Sequence, residues 1–385
     1  MAANFDPIWV AGFMSGTSLD AVDAAMILTD GERVFDFGPA VERKYTDQER
    51  LTLERATDSA RRWNWTGDPP DTPFEKATET VLQTHIETYA RLLENARSSP
   101  IANGSEGMPD LIGVHGQTVL HRPPTDTQIG ATLQLMDGAQ LAAKLKMPVA
   151  YDFRTADVAT GGQGAPLAPA YHRALLQRLG DEPAAVLNLG GVANITARMS
   201  DGALIAFDTG PANGPIDEWV SGHDRGLHDE NGLFAERGLV HEGLLAQLFE
   251  HPFFSMRPPK SLDRYDFNAS MARGLNFYDG CATLTAFSAR AVATGLQRLP
   301  EAPARVIACG GGRHNPSLMR MLSEAVPCPV VTAEAVGWRG DSIEAEAFAF
   351  LAVRTLRGLP LSWPETTGVP TAQTGGQIST PEAPV

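Results

Sequence analysis

The sequence of 385 residues contains few cysteines and no excess of positive charge. Its three cysteines (Cys281, Cys309 and Cys328) are an odd number without CxxC spacing, so neither a disulfide framework nor a zinc knuckle is indicated. The formal net charge of −15 argues against nucleic acid or an anionic membrane surface as a partner. This cysteine usage best fits a reducing cytoplasm.

Long apolar runs are also missing, and none is long enough to span a bilayer. The first ten residues, MAANFDPIWV, lack the basic and apolar regions of a signal peptide. We therefore expect a cytoplasmic protein that has no membrane partner. Hydrophobic residues make up 43% and charged residues 20% of the chain, as in ordinary globular proteins, and its length favours two domains.

The familiar phosphate-binding and metalloprotease signatures are absent too. The sequence has no Gly-Lys dipeptide and so no Walker loop, no GxGxxG for a dinucleotide fold, and no HExxH. If the protein binds a nucleotide, it must do so through other glycine-containing turns. Backbone donors or a metal would have to hold the phosphates locally, because the overall field opposes an anion.

One glycine-containing stretch, residues 185–213, organises the rest of the sequence. It predicts three short strands, at Ala185–Leu189, Ala193–Met199 and Leu204–Phe207. Gly190 and Gly191, in the first turn, expose backbone N–H groups without a Cβ, which suits a phosphate. Asp208, at the end of the third strand, could act on the group that accepts the phosphate. The alternative is an ordinary β-meander in which Asp208 only caps a turn.

The same order of elements occurs near the N-terminus. Strands are predicted at Ile8–Phe13, Ala24–Leu28 and Glu32–Phe37, with a small-residue turn after the first and Asp30-Gly31 after the second. Such an internal repeat predicts two like α/β halves. Gly16, Thr17 and Ser18 then match the Gly190-Gly191 turn, and the two facing turns could hold a triphosphate from both sides.

A third glycine run, Gly310-Gly311-Gly312, lies between a predicted strand and a predicted helix. A flat base or a ribose could lie there against bare backbone and a helix N-terminus. Further helices are predicted at Pro73–Asn95, Asp137–Lys146, Gly243–Phe249, Cys281–Leu296, Asn315–Ala325 and Ser342–Leu356. Thr155–Pro169 is too rich in glycine and proline for an element and predicts a long loop.

We predict an N-terminal lobe over residues 1–150, with the last helix (342–356) packing back on it. A second lobe is expected over residues 151–362, and a partly disordered tail over residues 363–385. The crossing between the lobes is placed near the loop at Thr155–Pro169.

Several charged residues admit both a functional and a structural interpretation. Asp20, Asp23 and Asp208 could contact magnesium or act as a general base, although carboxylates at strand ends often cap turns. His115 could contact a sugar or a phosphate, but its spacing favours a hydrogen-bonded loop histidine. Arg154 could bind an acidic substrate or pair with a neighbouring aspartate, Asp152 or Asp157.

Other polar residues are interpreted as structural or solvated. His121, His223 and His228 have no ligand-like spacing. Arg257, Lys260 and Arg264 are interpreted as the solvated face of a loop.

Six motifs together resemble the anhydro-N-acetylmuramic acid kinase family. They are FMSGTSLDAVD (13–23), HGQTVLHRP (115–123), DFRTADVATGGQGAPLAPAYH (152–172), LNLGGVANIT (187–196), FDTGPAN (207–213) and CGGGRHNPSLM (309–319). The resemblance implies an α/β, two-lobed actin-like sugar-kinase fold, with duplicated ribonuclease-H-like domains and an ATP cleft between them. It also implies that 1,6-anhydro-N-acetylmuramic acid, ATP and water give N-acetylmuramic acid 6-phosphate and ADP during cytoplasmic recycling of peptidoglycan sugars.

The resemblance also assigns roles to individual residues. Asp208 matches the base that activates water, and Glu344 matches a residue that supports the sugar or the water. The sugar side is expected to include His115, Gln117, Arg154 and Gln163. The ATP-binding residues are expected to be Ser15, Gly16, Thr17, Ser18, Leu19, Asp20, Ala21, Val22, Asp23, Gly190, Gly191, Gly310 and Gly311. Magnesium–ATP would contact Asp20 and Asp208, and the family suggests a homodimer.

The sequence departs from the family pattern in three places. Ala21 replaces a usual glycine, QLMDGAQLA (134–142) replaces a QIGxxxxLA pattern, and KSLDR (260–264) replaces a KSTGRE-like stretch. The last two leave the identity of the sugar open. The alternatives are a kinase for a different amino sugar and a catalytically silent sugar-binding regulator of the same fold.

Overall fold

The computed structural model describes residues 5–98, 108–125, 127–262 and 266–381. The chain forms two compact units: unit 1 comprises Met1–Leu175 and Glu344–Val385, and unit 2 comprises Leu176–Ile343. The first change of unit therefore lies at Leu175 rather than near residue 150, and the chain returns to unit 1 at Glu344 rather than continuing in the second lobe to residue 362. Among the described residues, no helix is long and apolar enough to cross a membrane.

Twelve strands and twelve α-helices make up the two units. The strands are β1 Ile8–Ser15, β2 Ala21–Thr29, β3 Val34–Lys44, β4 Leu111–Arg122, β5 Ala131–Leu135, β6 Val149–Tyr151, β7 Ala184–Leu189, β8 Val192–Arg198, β9 Leu204–Pro211, β10 Arg305–Cys309, β11 Val330–Thr332 and β12 Gln377–Ser379. The helices are α1 Asp47–Trp63, α2 Asp71–Ser98, α3 Gly138–Leu145, α4 Thr155–Ala159, α5 Pro169–Gln177, α6 Asn213–Gly222, α7 Leu233–Glu236, α8 Glu242–Leu248, α9 Phe277–Leu296, α10 Pro316–Ala325, α11 Ile343–Leu356 and α12 Pro364–Thr367. These numbers refer to the described residues.

Each unit contains one mixed sheet, and the two sheets repeat one topology. The strand order is β12-β6-β4-β1-β2-β3 in unit 1, with β5 added beside β4, and β11-β10-β7-β8-β9 in unit 2. In both units three consecutive strands form an antiparallel meander, and the first of them pairs in parallel with a later strand. The predicted duplication of an α/β unit is thus confirmed.

Helix starts follow caps that the sequence encodes. Thr46 and Glu49 form a reciprocal capping box at α1. The Asn276 side chain accepts a hydrogen bond from the Asp279 backbone N–H at the start of α9. Asn315 caps α10, where Pro316 follows at the first helical position. This last cap fixes where the chain turns from the glycine run after β10 into a helix.

Two glycines in unit 1 allow α11 to lie directly on the sheet. A Cβ at Gly12 in β1 would be 1.9 Å from the Ala345 carbonyl oxygen, and a Cβ at Gly113 in β4 would be 2.1 Å from the Phe348 carbonyl oxygen. Any side chain at either position would therefore displace the helix. Because α11 is held there, Glu344 in its first turn belongs to unit 1, as the prediction that the last helix packs back on the first lobe requires.

Some predicted elements differ from the observed ones. Thr155–Ala159 is helical rather than part of a loop, and its Asp157 and Val158 are buried within unit 1. β3 extends to Lys44 through Pro39, which is tolerated because β3 is the edge strand of its sheet. The tail is ordered where it is described, since β12 pairs with β6; residues 382–385 lie outside the described residues.

We expect Gly113→Ala to lower the free energy of unfolding by about 2–4 kcal/mol, because a buried backbone cannot easily move to admit a methyl group. Differential scanning calorimetry would measure this loss of stability, because it can resolve separate unfolding transitions of the two units. The control is Gly222→Ala, since a Cβ at Gly222 would have no atom within 4 Å. Equal stability of the two variants would contradict this account of how α11 packs.

Candidate active site

The turn between β1 and β2 presents small polar side chains to solvent. Thr17, Ser18 and Asp20 are exposed, whereas Ser15 is buried. The Asp20 Oδ1 atom accepts hydrogen bonds from the Ser18 hydroxyl at 2.6 Å and from the Ala21 N–H at 3.1 Å. Asp20 therefore stabilises the turn and still exposes its carboxylate at the tip of the hairpin.

Other members of the predicted hairpin face inward. Leu19 and Val22 lie in the hydrophobic core of unit 1, Ala21 is buried, and Asp23 is half-buried in β2. Leu19 has a φ of 57°, which turns its side chain into the core at the tightest point of the hairpin. The side chains of Leu19, Ala21 and Val22 are thus part of the support, and only their backbone could contact a ligand.

Gln117 supports this hairpin from below. Its side chain is fully buried in β4, and its Nε2 donates to the Gly16 carbonyl oxygen at 3.2 Å. The position of Gln117 beside Ser15 in the parallel β1–β4 pair explains why it reaches the hairpin. The expected contact of Gln117 with a sugar stays a prediction.

The guanidinium group of Arg154, in unit 1, uses only some of its N–H donors in hydrogen bonds to the protein. Its Nε donates to His115 Nε2 at 2.9 Å, and its Nη1 donates to the Gly164 carbonyl oxygen at 2.8 Å. Arginine has five N–H donors, and the other three have no partner among the described residues. Burial lowers the pKa of Arg154 to about 10, while the charge of Glu344 raises it, so the group stays cationic at neutral pH. Such a group can receive an acidic ligand.

His115 holds Arg154 in place. The ring is buried and lies 4.7 Å, centroid to centroid, from Phe348 of α11. Burial is the main cause that lowers the pKa of His115, and the nearby charge of Arg154 acts in the same direction. A neutral ring accepts a hydrogen bond at Nε2 when Nδ1 carries the ring hydrogen. His115 is therefore a support for Arg154 rather than a proton donor at neutral pH.

Gln163 is fixed through its backbone. Its N–H donates to the Thr367 carbonyl oxygen at 2.7 Å, and its own carbonyl oxygen lies 3.0 Å from His121 Nε2. His121 thus has a structural role, as its spacing indicated. Glu344 is exposed at the start of α11 and acts on Arg154 through its charge. In unit 1 the structure therefore groups Arg154, His115 and Glu344.

Asp208 lies in β9 of unit 2 with one carboxylate oxygen occupied. Its Oδ2 accepts from the Leu262 N–H at 2.7 Å, and its own N–H donates to the Lys260 carbonyl oxygen at 2.9 Å. Oδ1 has no protein partner among the described residues. Burial raises the pKa of Asp208 to about 7, although the Leu262 N–H and the charge of Lys260 lower it. This value suits a group that accepts a proton near neutral pH.

The interpretation of Lys260 as part of a solvated loop face was wrong. Its side chain is buried, its ammonium donates to the Phe253 carbonyl oxygen at 2.8 Å, and the ammonium lies 4.0 Å from the Phe253 ring centroid. Burial lowers the pKa of Lys260 to about 8. Arg257 is exposed as expected, and Arg264 lies outside the described residues. The two phenylalanines a few residues before Lys260 in the sequence could have indicated this burial.

The Gly190-Gly191 turn joins β7 to β8 and contacts the start of α6. The Gly190 carbonyl oxygen accepts from the Asn213 N–H at 2.9 Å, and the Gly191 carbonyl oxygen accepts from the Ala212 N–H at 3.0 Å and the Gly214 N–H at 3.1 Å. A Cβ at Gly190 would come no closer than 3.5 Å to another atom, and one at Gly191 no closer than 4.0 Å. Packing of the protein itself therefore does not require glycine at these positions.

The third glycine run begins directly after β10. Gly310 has a φ of +75°, and its Cβ would lie 2.3 Å from Asn188 Oδ1, whereas a Cβ at Gly311 would meet nothing within 4 Å. Arg313 is buried here, and the sequence analysis did not single it out. Its guanidinium group donates to the Gly310 carbonyl oxygen at 2.9 Å and also forms ion pairs. Those ion pairs, with Glu334 and Asp341, measure 2.8 Å and 2.6 Å. Arg313 thus holds the glycine run in place, and Gly311 is the residue of the run at which a Cβ would contact no other atom.

The described residues contain no group of three or more His, Cys, Asp or Glu side chains that could hold a metal ion. Asp20 is the exposed carboxylate at the first hairpin, and Asp208 is in the other unit. A lone carboxylate fits a magnesium ion that is bound chiefly by nucleotide phosphates and water. It does not fit a metal site built by the protein alone.

The repeated topology and these glycine turns define a duplicated α/β protein of the predicted class. The family model described as anhydro-N-acetylmuramic acid kinase matches residues 80–381. The anhydro-N-acetylmuramic acid kinase of Caulobacter vibrioides is 51% identical over 370 residues, covering 96% of this chain and 98% of that protein. That of Phenylobacterium zucineum is 50% identical over 378 residues, covering 97% and 100%. The chain belongs to the anhydro-N-acetylmuramic acid kinase family.

Similarity to solved structures is much lower. The (R)-2-hydroxyglutaryl-CoA dehydratase component A of Acidaminococcus fermentans has a TM-score of 0.44 at 11% identity, covering 91% of this chain and 99% of that one.

We expect the Asp208 carboxyl to titrate near pH 7 in the free protein, because its burial disfavours the charged form. Carbon-13 NMR of labelled aspartate, with Asp208→Asn to assign the signal, would measure this midpoint. The Asp201→Asn variant, which removes an exposed carboxylate that accepts from the Ala203 N–H at 2.8 Å, is the control and should leave the Asp208 midpoint unchanged. An Asp208 midpoint near 4 would contradict the assignment.

Proposed function

We propose that this protein is an ATP-dependent kinase that opens 1,6-anhydro-N-acetylmuramic acid with water and phosphorylates O6. The products are N-acetylmuramic acid 6-phosphate and ADP. Family membership over nearly the whole chain supports this reaction. The single structural observation that carries it is Asp208, a carboxylate within β9 with one oxygen held by the Leu262 N–H, the other open, and a pKa of about 7.

Asp208 acts as the general base in this mechanism. Its open Oδ1 accepts a proton from water while the water oxygen forms a bond to C1 of the anhydro sugar. The C1–O6 bond of the bicyclic acetal breaks, and its electron pair passes to O6. Because Leu262 already occupies Oδ2, the carboxylate has one defined direction from which to take the proton.

The freed O6 is the nucleophile for phosphoryl transfer. It forms a bond to the γ-phosphorus of ATP as the bond to the bridging oxygen breaks and ADP leaves. The strained ring thus supplies its own nucleophile, and one base suffices for both steps. The proton from water stays on Asp208 until solvent removes it.

The glycine turns hold ATP by backbone groups. We assign the phosphates to the Gly16–Ser18 turn of unit 1 and the Gly190-Gly191 turn of unit 2, and the base or ribose to Gly310 and the open Gly311. Asp20 would contact the magnesium ion that accompanies ATP, and this ion would neutralise charge on the phosphates.

Unit 1 supplies the groups for the sugar. The three uncommitted N–H donors of Arg154 match the lactyl carboxylate of the substrate, because a guanidinium fork pairs with a carboxylate through two parallel hydrogen bonds. Glu344 supports the sugar or the water, and His115 acts through Arg154. We place the reaction in the cytoplasm, and the homodimer suggested by the family stays a prediction.

A coupled ADP-release assay tests the function directly. We expect turnover with 1,6-anhydro-N-acetylmuramic acid and little with N-acetylmuramic acid or N-acetylglucosamine, which have no strained bridge to open. Asp208→Asn should lower kcat by about 10²–10⁴-fold, the usual contribution of a general base. In the wild type kcat/KM should rise with pH through about 7, since Asp208 accepts a proton only when it is ionised.

The matched control is Asp201→Asn, an exposed carboxylate of unit 2 that also accepts a backbone hydrogen bond. It should retain wild-type kcat and the same pH profile. Normal turnover by Asp208→Asn would remove the proposed mechanism. A preference for N-acetylglucosamine would instead favour the kinase for a different amino sugar.

We expect Gly191→Ala to raise the KM for ATP about tenfold or more while the unfolding temperature stays unchanged, because its methyl group has room in the free protein but blocks close approach of a phosphate. Steady-state kinetics and differential scanning fluorimetry would measure the two effects. Gly312→Ala should lower the unfolding temperature, since its Cβ would lie 2.7 Å from Leu189 Cβ. A Gly191→Ala variant with normal KM would exclude this turn from ATP binding.

A further inference from the structure

The buried carboxylate of Asp157, in α4, has no role in the mechanism above. Its side chain is 2% exposed and accepts three hydrogen bonds. Oδ1 accepts from the Gly164 N–H at 2.7 Å, and Oδ2 accepts from the Thr367 hydroxyl at 2.6 Å and from the Ser362 hydroxyl. Among the described residues it forms no ion pair. A buried charge of this kind is retained only when hydrogen bonds compensate for lost water, so all of its partners matter.

The glycine-rich loop that follows α4 folds directly onto this carboxylate. A Cβ at Gly162 would lie 2.2 Å from Asp157 Oδ1, and one at Gly164 would lie 2.5 Å from Val158 Cγ2. Gly164 also has a φ of +71°, which strains any other residue. The glycines of this loop therefore serve to bring its backbone against Asp157.

Gly164 connects Asp157, through two hydrogen bonds, to Arg154, the arginine proposed to bind the substrate. Gly164 donates its N–H to Asp157 and accepts at its carbonyl oxygen from Arg154 Nη1 at 2.8 Å. Hydrogen bonds in such a chain polarise and strengthen one another. With His115 holding Nε from the other side, Arg154 has a single orientation for its three remaining donors.

The C-terminal segment completes this arrangement. Ser362 and Thr367 are both buried and both donate to Asp157, and the Thr367 carbonyl oxygen accepts the Gln163 N–H at 2.7 Å. The loop is thus enclosed between α4 on one side and residues 362–367 on the other. This segment is thereby attached to the loop that carries the arginine contact.

We propose that Asp157 is a positioning residue for Arg154. It holds Gly164, and through Gly164 the guanidinium group, in the orientation that binds the carboxylate of the sugar, and the segment 362–367 locks it there. The proposal rests on the proposed function, in which Arg154 receives the lactyl carboxylate. Asp157 itself contacts neither substrate nor reacting atoms.

The test compares two sugars at saturating ATP: 1,6-anhydro-N-acetylmuramic acid, and 1,6-anhydro-N-acetylglucosamine, which lacks the lactyl carboxylate. The quantity measured is the ratio of their kcat/KM values. Asp157→Asn should lower this ratio about tenfold, and Thr367→Val, which removes one hydroxyl without changing shape, should lower it less. The KM for ATP should change less than about twofold in both variants.

Thr160→Val is the matched control, because the Thr160 hydroxyl bonds only to the backbone carbonyl oxygens of Ala156 and Asp157. It should leave the ratio unchanged. If Asp157 acts through Arg154, the double variant of Arg154→Lys with Asp157→Asn should have the ratio of Arg154→Lys alone. Additive losses in that cycle would overturn the proposal.

The outcomes separate this inference from the function it rests on. If Arg154→Lys leaves the ratio unchanged, the assignment of Arg154 to the carboxylate fails, and with it the premise. If Arg154→Lys lowers the ratio but folded Asp157→Asn and Thr367→Val do not, the function stands and Asp157 is only a structural residue. Should Asp157→Asn fail to fold, Thr367→Val alone decides between these results.

Discussion

The contact of α11 with the strands β1 and β4 is the constraint on which unit 1 depends. Gly12 and Gly113 have no side chains, so the carbonyl oxygens of Ala345 and Phe348 lie where a Cβ would be. This contact fixes Phe348, whose ring packs on His115, and His115 in turn holds the Nε of Arg154. The position of the arginine proposed to bind the sugar thus follows from the absence of two side chains in the sheet beneath it.

Glycines of the sheets and of the turns beside them differ in the space around a Cβ, and the difference is informative about function. At Gly12, Gly113 and Gly310 a Cβ would collide with protein atoms, so the fold itself requires glycine. At Gly191 and Gly311 a Cβ would find ordinary space, so folding gives no reason for glycine there. Glycines whose Cβ would have space, in turns at the ends of strands, are therefore the ones expected to make room for a ligand.

The sequence permitted a correct prediction of the duplication, because periodicity and turn residues are local signals. The sequence also indicated Asp208 as a candidate functional residue, because a carboxylate that follows an apolar stretch next to a glycine turn can be recognised without a structure. The structure adds the partner that local patterns could not show, the Leu262 N–H on one carboxylate oxygen.

The structure departs from the local sequence pattern, or adds to it, where tertiary packing determines the surroundings of a side chain. Lys260 lies in a polar stretch, and only the packing of its ammonium against Phe253 shows that it is buried. Gln117 pairs in parallel with Ser15, which places it beneath the hairpin, and its expected contact with a sugar stays a prediction. Ser362 and Thr367 donate to Asp157, which lies about two hundred positions earlier in the chain, and local patterns could not show this contact.

The discontinuity of unit 1 has a consequence for how the chain folds during synthesis. Unit 2 is one continuous run inserted between the two segments of unit 1, so it can fold as soon as it leaves the ribosome. The sheet of unit 1 must wait for α11 and β12, and until then the face around Gly12 and Gly113 stays uncovered and the β6 edge unpaired. The nascent protein therefore passes through a stage in which its first-made half is the last to mature, and chaperones would have most reason to bind it then.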